Sequence, residues 1–117
     1  MEEVPLAFVT HLHEEPAVEL RINFGIFVGR EATPAEIDNL AALLLAEAPQ
    51  VSIVAENRHE ISRQGEAALH QVRVELAPDV VPGDVAALDS LEHSLVTAAE
   101  RWARACAADR QADVTEL

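Results

Sequence analysis

An unbroken alternation of apolar and other residues is the feature that most constrains this fold. From 17 to 28 every second position is a large apolar residue: Val18, Leu20, Ile22, Phe24, Ile26 and Val28. The positions between them begin with Glu19, Arg21, Asn23 and Gly25. A period of two is typical of a strand with one buried face and one wet face. The pattern predicts a strand over 17–28, roughly 40 Å long at about 3.3 Å per residue.

A second strand is predicted just before the first. Residues 6–13 alternate only in part, and the turn that follows them, Glu14-Glu15-Pro16, is short. Two strands joined by so short a turn usually pair as an antiparallel hairpin. We therefore expect strands over 6–13 and 17–28 to lie side by side.

The remainder of the chain predicts a helix, two strands and a final helix. Thr33-Pro34-Ala35-Glu36 combines a capping threonine, a proline at the first helical position and a glutamate that completes a capping box. Pro49 ends that helix. Strands over 51–57 and 69–77 follow, separated by a polar loop over 58–68, and Asp84 can cap a long helix to about Ala108.

The element order is therefore ββαββα, and the predicted fold class is α+β. We expect a two-layer sandwich in which a four-stranded, mainly antiparallel sheet carries two helices on one face. A ferredoxin-like order, βαββαβ, remains open if the first strand is assigned wrongly. The 117 residues fit one domain, with a core over about 5–108 and a frayed tail over 109–117.

The charge of the chain is strongly negative. The formal net charge is −13, from 21 acidic and 8 basic side chains, and every basic side chain is an arginine. Such a charge repels phosphate backbones and anionic lipids, so we expect neither a nucleic-acid nor a membrane partner. The single cysteine, Cys106, has no partner for an internal disulfide, and the start Met1-Glu2-Glu3 is acidic where a signal peptide is basic. We therefore expect a cytoplasmic protein.

Two histidines end the first predicted strand. Because residues two apart share one side of a strand, the imidazoles of His11 and His13 could reach one metal ion. Glu14, Glu15 or His59 could complete the ligand set. The same spacing is also typical of two exposed histidines beside a turn. We predict no cofactor and keep the metal site as the alternative.

The polar loop over 58–68 concentrates groups that could bind a small molecule. Arg58 and Arg63 could hold an anion through bidentate hydrogen bonds, and His59 with Glu60 could serve as a general acid-base pair. A solvated loop whose charges satisfy each other is the alternative. The candidate binding residues are Arg58, His59, Glu60, Arg63, His11 and His13.

Two other surfaces could contact another chain. The wet sheet face carries Glu19, Arg21, Asn23, Glu56, Arg73 and Glu75, and its opposite charges can pair across strands. The apolar residues of the final helix recur every three or four positions, which also fits the heptad repeat of a coiled coil. We expect a non-enzymatic interaction or accessory module that self-associates, with a dimer favoured, and has an acidic surface suited to a protein partner. The alternative is a small enzyme or a small-molecule or metal-binding protein that uses the 58–66 loop and His11 and His13.

Overall fold

The computed structural model describes residues 5–11 and 18–116, with the side chains of all of these except 11, 58, 60 and 109–116. The strands are β1 (Ala7–His11), β2 (Val18–Ile22), β3 (Ser52–Ser62) and β4 (Gly65–Leu76). The helices are α1 (Phe24–Val28), α2 (Pro34–Leu45) and α3 (Val85–Glu116), with a short 3-10 helix at Pro78–Val80. No helix within the described ranges is long and apolar enough to cross a membrane.

The strands form one sheet in the order β1-β2-β4-β3, and each neighbouring pair is antiparallel. One face of the sheet carries the core, which includes the fully buried side chains of Leu20, Ile22, Val72 and Val74. Helices α1 and α3 contact the sheet, and α2 packs on α3. The predictions of an α+β chain and of a mainly antiparallel sheet are confirmed.

The predicted strand over 17–28 is wrong beyond Ile22, where the chain turns into α1. The backbone N–H of Asn23 donates to the carbonyl oxygen of Leu6 at 2.9 Å, and Phe27 N–H donates back to Asn23. Phe24 and Val28 stay buried because a spacing of four returns to the same side of a helix. Ile26 lies between them and is 48% exposed. The element order is thus ββααββα, with one helix more than the predicted ββαββα.

A close approach between α1 and β4 depends on Gly25. A Cβ atom at this position would lie 2.9 Å from the backbone nitrogen of His70, closer than real Cβ contacts allow. The bare backbone of Gly25 therefore lets α1 pack against β4. Helix α1 ends at Gly29, whose φ of 83° lies in the left-handed region that glycine adopts without strain.

The predicted polar loop over 58–68 is instead the outer half of a β-hairpin. β3 and β4 pair without interruption from Ser52 opposite Glu75 to Ser62 opposite Gly65, and only Arg63 and Gln64 form the turn. Gly65 has a φ of 142°, which suits it to the residue after the turn. The loop prediction failed because polar side chains on both faces leave no alternation, although the backbone ladder needs none.

Local signals set the starts of the two longer helices. Thr33 Oγ1 accepts the backbone N–H of Glu36 at 3.2 Å, and Glu36 Oε1 accepts the N–H of Thr33 at 2.9 Å, which is the predicted capping box. Asp84 accepts the N–H of Ala87 at 3.0 Å at the start of α3. Helix α3 extends to Glu116, past its predicted end near Ala108.

Candidate functional site: the hairpin arm and the open sheet face

The outer part of the β3–β4 hairpin, residues 57–69, extends beyond the core; we call it the arm. Every side chain from Ile61 to Ala68 is exposed, on both faces of the hairpin. Ile61 is 77% exposed, the highest fraction among the large exposed apolar side chains described. An isolated two-stranded hairpin is only marginally stable in water. The arm therefore lies where contact with another surface would stabilise it.

The predicted binding residues Arg58, His59, Glu60 and Arg63 all lie on the arm. His59 and Glu60 are neighbours in β3 and take positions on opposite faces of the sheet. Arg63 is exposed in the turn, about 16 Å of extended backbone away from Arg58. The side chains of Arg58 and Glu60 lie outside the described part of the chain.

The partner that the structure gives His59 is Glu66, on the neighbouring strand. His59 Nδ1 lies 2.9 Å from Glu66 Oε1, and both side chains are more than half exposed. Sequence reasoning missed Glu66 as this partner, because the pairing depends on the register that brings β4 back along β3. The pair is an imidazole oriented by a carboxylate, at the surface of the arm.

The paired histidines fall at the edge of the described structure. His11 is the last residue of β1 and lies opposite Val18, and its side chain is not described. His13 lies outside the described residues. Among the side chains that are described, no group of three His, Cys, Asp or Glu residues could hold a metal ion. The metal site at His11 and His13 stays a prediction.

The open sheet face, which none of the described helices covers, carries a network of ion pairs centred on Glu19. Arg21 holds the Glu19 carboxylate with Nε at 3.2 Å and with an Nη2 atom at 3.1 Å. Arg73 Nε lies 3.1 Å from Glu19 and 3.0 Å from Glu75, but neither oxygen is in line with its N–H. Arg73 also donates to Glu56 at 3.2 Å. Glu19 is only 5% exposed, so its neighbours already cover its charge.

The register explains why this network pairs diagonally. Glu19 lies directly opposite Glu75, and Arg21 lies directly opposite Arg73, so like charges face each other across β2 and β4. Like charges directly opposite are destabilising, whereas long side chains can reach diagonal neighbours. The diagonal contact from Arg73 to Glu19 places unlike charges together. This face has the charge pairing that the sequence predicted, with its partners fixed by the register.

Two buried amides continue the network to the end of β2. Gln71 Nε2 donates to Asn23 Oδ1 at 2.7 Å, and Arg21 donates to Gln71 Oε1 at 3.3 Å. Asn23 Nδ2 in turn donates to the carbonyl oxygen of Pro5 at 2.8 Å. The buried Asn23 side chain thus connects the end of β2 to the segment before β1 and to β4. The sequence pattern had predicted this side chain on the wet face of the sheet.

A cavity of about 270 Å³ lies between α1 and the base of the arm, with Arg30, Glu31, Asn57 and His70 in its lining. These polar groups have protein partners. His70 Nδ1 lies 3.2 Å from Asn57 Oδ1, and Asn57 Nδ2 donates to Glu31 at 3.2 Å. No local sequence pattern predicts this cavity, since its lining comes from three separate segments.

Arg30 at the cavity rim is committed to Glu36. Two hydrogen bonds of 2.7 Å join its guanidinium to the two carboxylate oxygens of Glu36. The hydrogen bonds from Arg30 lower the pKa of Glu36 from 4.5 to about 2, and the Thr33 N–H adds to this effect. Burial acts in the opposite direction and is outweighed. Arg30 is therefore a structural cation here.

Internal pairing leaves the exterior acidic. Arg21, Arg30 and Arg73 are held in ion pairs with glutamates of the same chain. Several carboxylates away from these pairs are exposed: Asp38, Glu47, Asp79, Asp84 and Asp89. With a formal net charge of −13, the surface offers negative charge over several elements.

No protein-family model, curated protein or solved structure matches the chain. The arm, the ion-paired sheet face and the acidic exterior are the features that a function has to explain.

Proposed function

We propose that the chain is a non-enzymatic interaction module that acts as a homo-oligomer, with a dimer favoured, and presents an acidic surface to a protein partner in the cytoplasm. The observation that carries the proposal is the arm. The arm extends beyond the core of one copy, and its Ile61 side chain is exposed to solvent.

The energetics of the arm favour contact with another chain. Burying an isoleucine side chain stabilises an assembly by about 1.5–3 kcal/mol. The outer edge of β3 also carries backbone groups that β4 does not pair, and exposed edges of this kind readily take another strand. An aliphatic side chain and an open backbone edge on one projecting hairpin support self-association.

The charge distribution supports a basic partner for the remaining surface. Three arginines are used inside the chain, so most of the exposed charge described is carboxylate. A field of one sign attracts a partner of the opposite sign and repels nucleic acids and anionic membranes. We therefore expect binding to a basic protein that weakens as salt concentration rises.

Oligomeric state is the first test, measured by native mass spectrometry and light scattering over low to high micromolar concentrations. We expect a dimer for the intact chain. A matched variant that lacks Glu60, Ile61, Glu66 and Ala67 shortens the arm by two residue pairs and keeps the turn and the register. We expect this variant to be folded and monomeric, with a melting temperature that does not depend on protein concentration. An intact chain that stays monomeric throughout would contradict self-association.

The basic partner is tested separately, on protein purified gently from its source. Native mass spectrometry should find a basic protein bound at low ionic strength and released at high ionic strength. Retention that does not depend on salt, or the absence of any bound protein, would count against the acidic-surface part of the proposal.

The second candidate function is a small enzyme or a small-molecule or metal-binding protein that uses the 58–66 segment and His11 and His13. One observation favours it, the His59–Glu66 pair, because a carboxylate-oriented imidazole is a common acid-base and metal-binding unit. Titration with zinc and with inorganic phosphate, followed by the melting temperature, tests it. A rise that His59→Ala removes would support this candidate over the first.

A further inference from the structure

The outer edge of β3 has the properties of a strand that pairs with another strand. β3 is an edge of the sheet and is 11 residues long, whereas β1, at the other edge, has 5 residues in the described structure. β3 contains neither proline nor glycine. In an antiparallel pair, alternate residues direct their backbone groups away from the partner strand. Alternate residues of β3 therefore offer N–H and C=O groups along its whole length.

The sequence of β3 complements itself about its central residue, Asn57. It reads Ser-Ile-Val-Ala-Glu-Asn-Arg-His-Glu-Ile-Ser. When two copies run antiparallel with Asn57 opposite Asn57, serine meets serine and isoleucine meets isoleucine at the two ends. The five symmetric pairs are Ser52–Ser62, Ile53–Ile61, Val54–Glu60, Ala55–His59 and Glu56–Arg58.

The charges of β3 select this register over its neighbours. A two-fold axis that joins two sheets edge to edge keeps each residue on its own face of the sheet. The two strands can therefore shift relative to each other only by two residues at a time, which moves the central residue by one. One slip places Glu56 opposite Glu56. The other slip places Arg58 opposite Arg58 and Glu56 opposite Glu60. Of these three registers, only the one centred on Asn57 opposes unlike charges and leaves no like charges opposed.

The same register accounts for the arm. Because the strands run in opposite directions, the arm of one copy lies beside the base of β3 in the other copy. Ile61 then meets Ile53, which packs at the margin of the core, and both lie on the helix-bearing face of the sheet. Each copy would cover the apolar residue that the other leaves exposed.

We propose that two copies of this chain join through antiparallel β3–β3 pairing centred on Asn57, which makes one continuous sheet of both copies. This inference rests on the proposed function and names the contact of its self-association. A second copy is the occupant because the complementarity is internal to one strand, as an isologous two-fold contact requires. The arm of each copy is then supported by the sheet of the other.

Disulfide trapping tests the register directly in the full chain, on a Cys106→Ala background that removes the native thiol. Opposed residues in an antiparallel pair are close enough for a disulfide. We expect Asn57→Cys to give a cross-linked dimer on mild oxidation, because Asn57 lies on the axis. Ala55→Cys alone and His59→Cys alone should stay uncross-linked, since identical positions would lie about 13 Å apart along the strand. The double variant Ala55→Cys/His59→Cys should cross-link.

An aspartate substitution tests the Ile61 contact with a matched control. Ile61→Asp should raise the dimer dissociation constant at least ~100-fold, because both copies lose a buried isoleucine. Val85→Asp makes the same charge change at a side chain of similar exposure, 73%, at the start of α3. It should leave the dissociation constant unchanged. Equal effects of the two substitutions would overturn the contact.

Exchange of charges tests the Glu56–Arg58 pair. Glu56→Arg and Arg58→Glu should each weaken dimerisation alone, because each opposes like charges. A mixture of the two variants should form heterodimers, since every opposed pair is then unlike. A merely structural role of either residue within one copy would not produce recovery on mixing.

The failures of the two proposals can be told apart. A wild-type chain that stays monomeric overturns self-association and this inference together. A wild-type dimer that Asn57→Cys does not cross-link, and that Ile61→Asp does not weaken, overturns β3 pairing and leaves self-association standing through another surface. Disulfide trapping tests β3 pairing even if the charge variants do not fold.

Discussion

The indole N–H of Trp102 donates a 2.7 Å hydrogen bond to the backbone carbonyl oxygen of Glu36. This contact joins the middle of α3 to the first turn of α2. The Glu36 side chain is held at the same point by Arg30, which follows α1. The ring of Trp102 also packs 5.1 Å from the ring of Phe24 in α1. Three helices are therefore fixed to one another around one glutamate.

Trp102→Phe should destabilise the fold while keeping the aromatic contact with Phe24. We expect a loss of about 1–2 kcal/mol in the free energy of unfolding, since phenylalanine has no N–H to donate and a smaller ring. Urea unfolding followed by far-ultraviolet circular dichroism measures the change. An unaltered free energy would mean that the hydrogen bond to Glu36 contributes nothing net.

Glu36→Gln should remove a pH-dependent part of the stability. The pKa of Glu36 in the folded protein, about 2, lies below its ordinary value of 4.5. The Glu36 carboxylate therefore contributes fully to stability above pH 4.5, and this contribution is lost as pH falls towards 2. At neutral pH we expect Glu36→Gln to cost about 1–3 kcal/mol. Glutamine keeps the capping box, so the difference reports the charge.

The measurement for Glu36 is urea unfolding of both proteins across the acid range. The gap between wild type and Glu36→Gln should narrow as pH falls from about 4.5 towards 2, because the wild-type carboxylate becomes protonated. A gap that is constant with pH would show that the ion pair with Arg30 is not its origin.

Gly25→Ala should destabilise the protein, whereas Gly83→Ala should not. The added Cβ at Gly25 meets the backbone of His70 at 2.9 Å, and a backbone strand cannot move aside without disturbing β4. Overpacking of this kind costs about 1–3 kcal/mol. At Gly83 nothing lies within 4 Å of the added atom. Thermal unfolding of the two variants should separate them, and equal melting temperatures would contradict the close approach of α1.

Glu19→Gln should cost more than Glu75→Gln on the open sheet face. Without the Glu19 charge, Arg21 and Arg73 remain directly opposed with little between them. Removing one partner of a buried ion pair can cost about 3–5 kcal/mol, and we expect roughly 2 kcal/mol here because glutamine keeps part of the hydrogen bonding. Glu75 is about a quarter exposed, so its loss should cost less than about 1 kcal/mol. Chemical unfolding in low salt measures both variants. Equal losses in the free energy of unfolding for Glu19→Gln and Glu75→Gln would contradict this prediction.

The core of the sheet and the helix starts could be predicted because their signals are local. The alternation around Leu20 and Val74 places both on the buried face, and both are fully buried. The capping box at Thr33 and the cap at Asp84 depend on residues three positions apart in the chain. Among the predicted site residues, only His59 has a described partner, and that partner, Glu66, depends on strand register.

The sequence by itself determined the α+β class, the buried face of the sheet and the starts of α2 and α3, because side-chain period and capping act within a few residues. Only the tertiary structure decided where β2 ends and how far the hairpin extends. At Phe24 and Val28 the periods of strand and helix both predict burial. The hydrogen bonds that Asn23 donates to Leu6 and accepts from Gln71 decide between the two structures. Along the arm both faces are wet, so side chains carry no period and the backbone ladder alone sets its length.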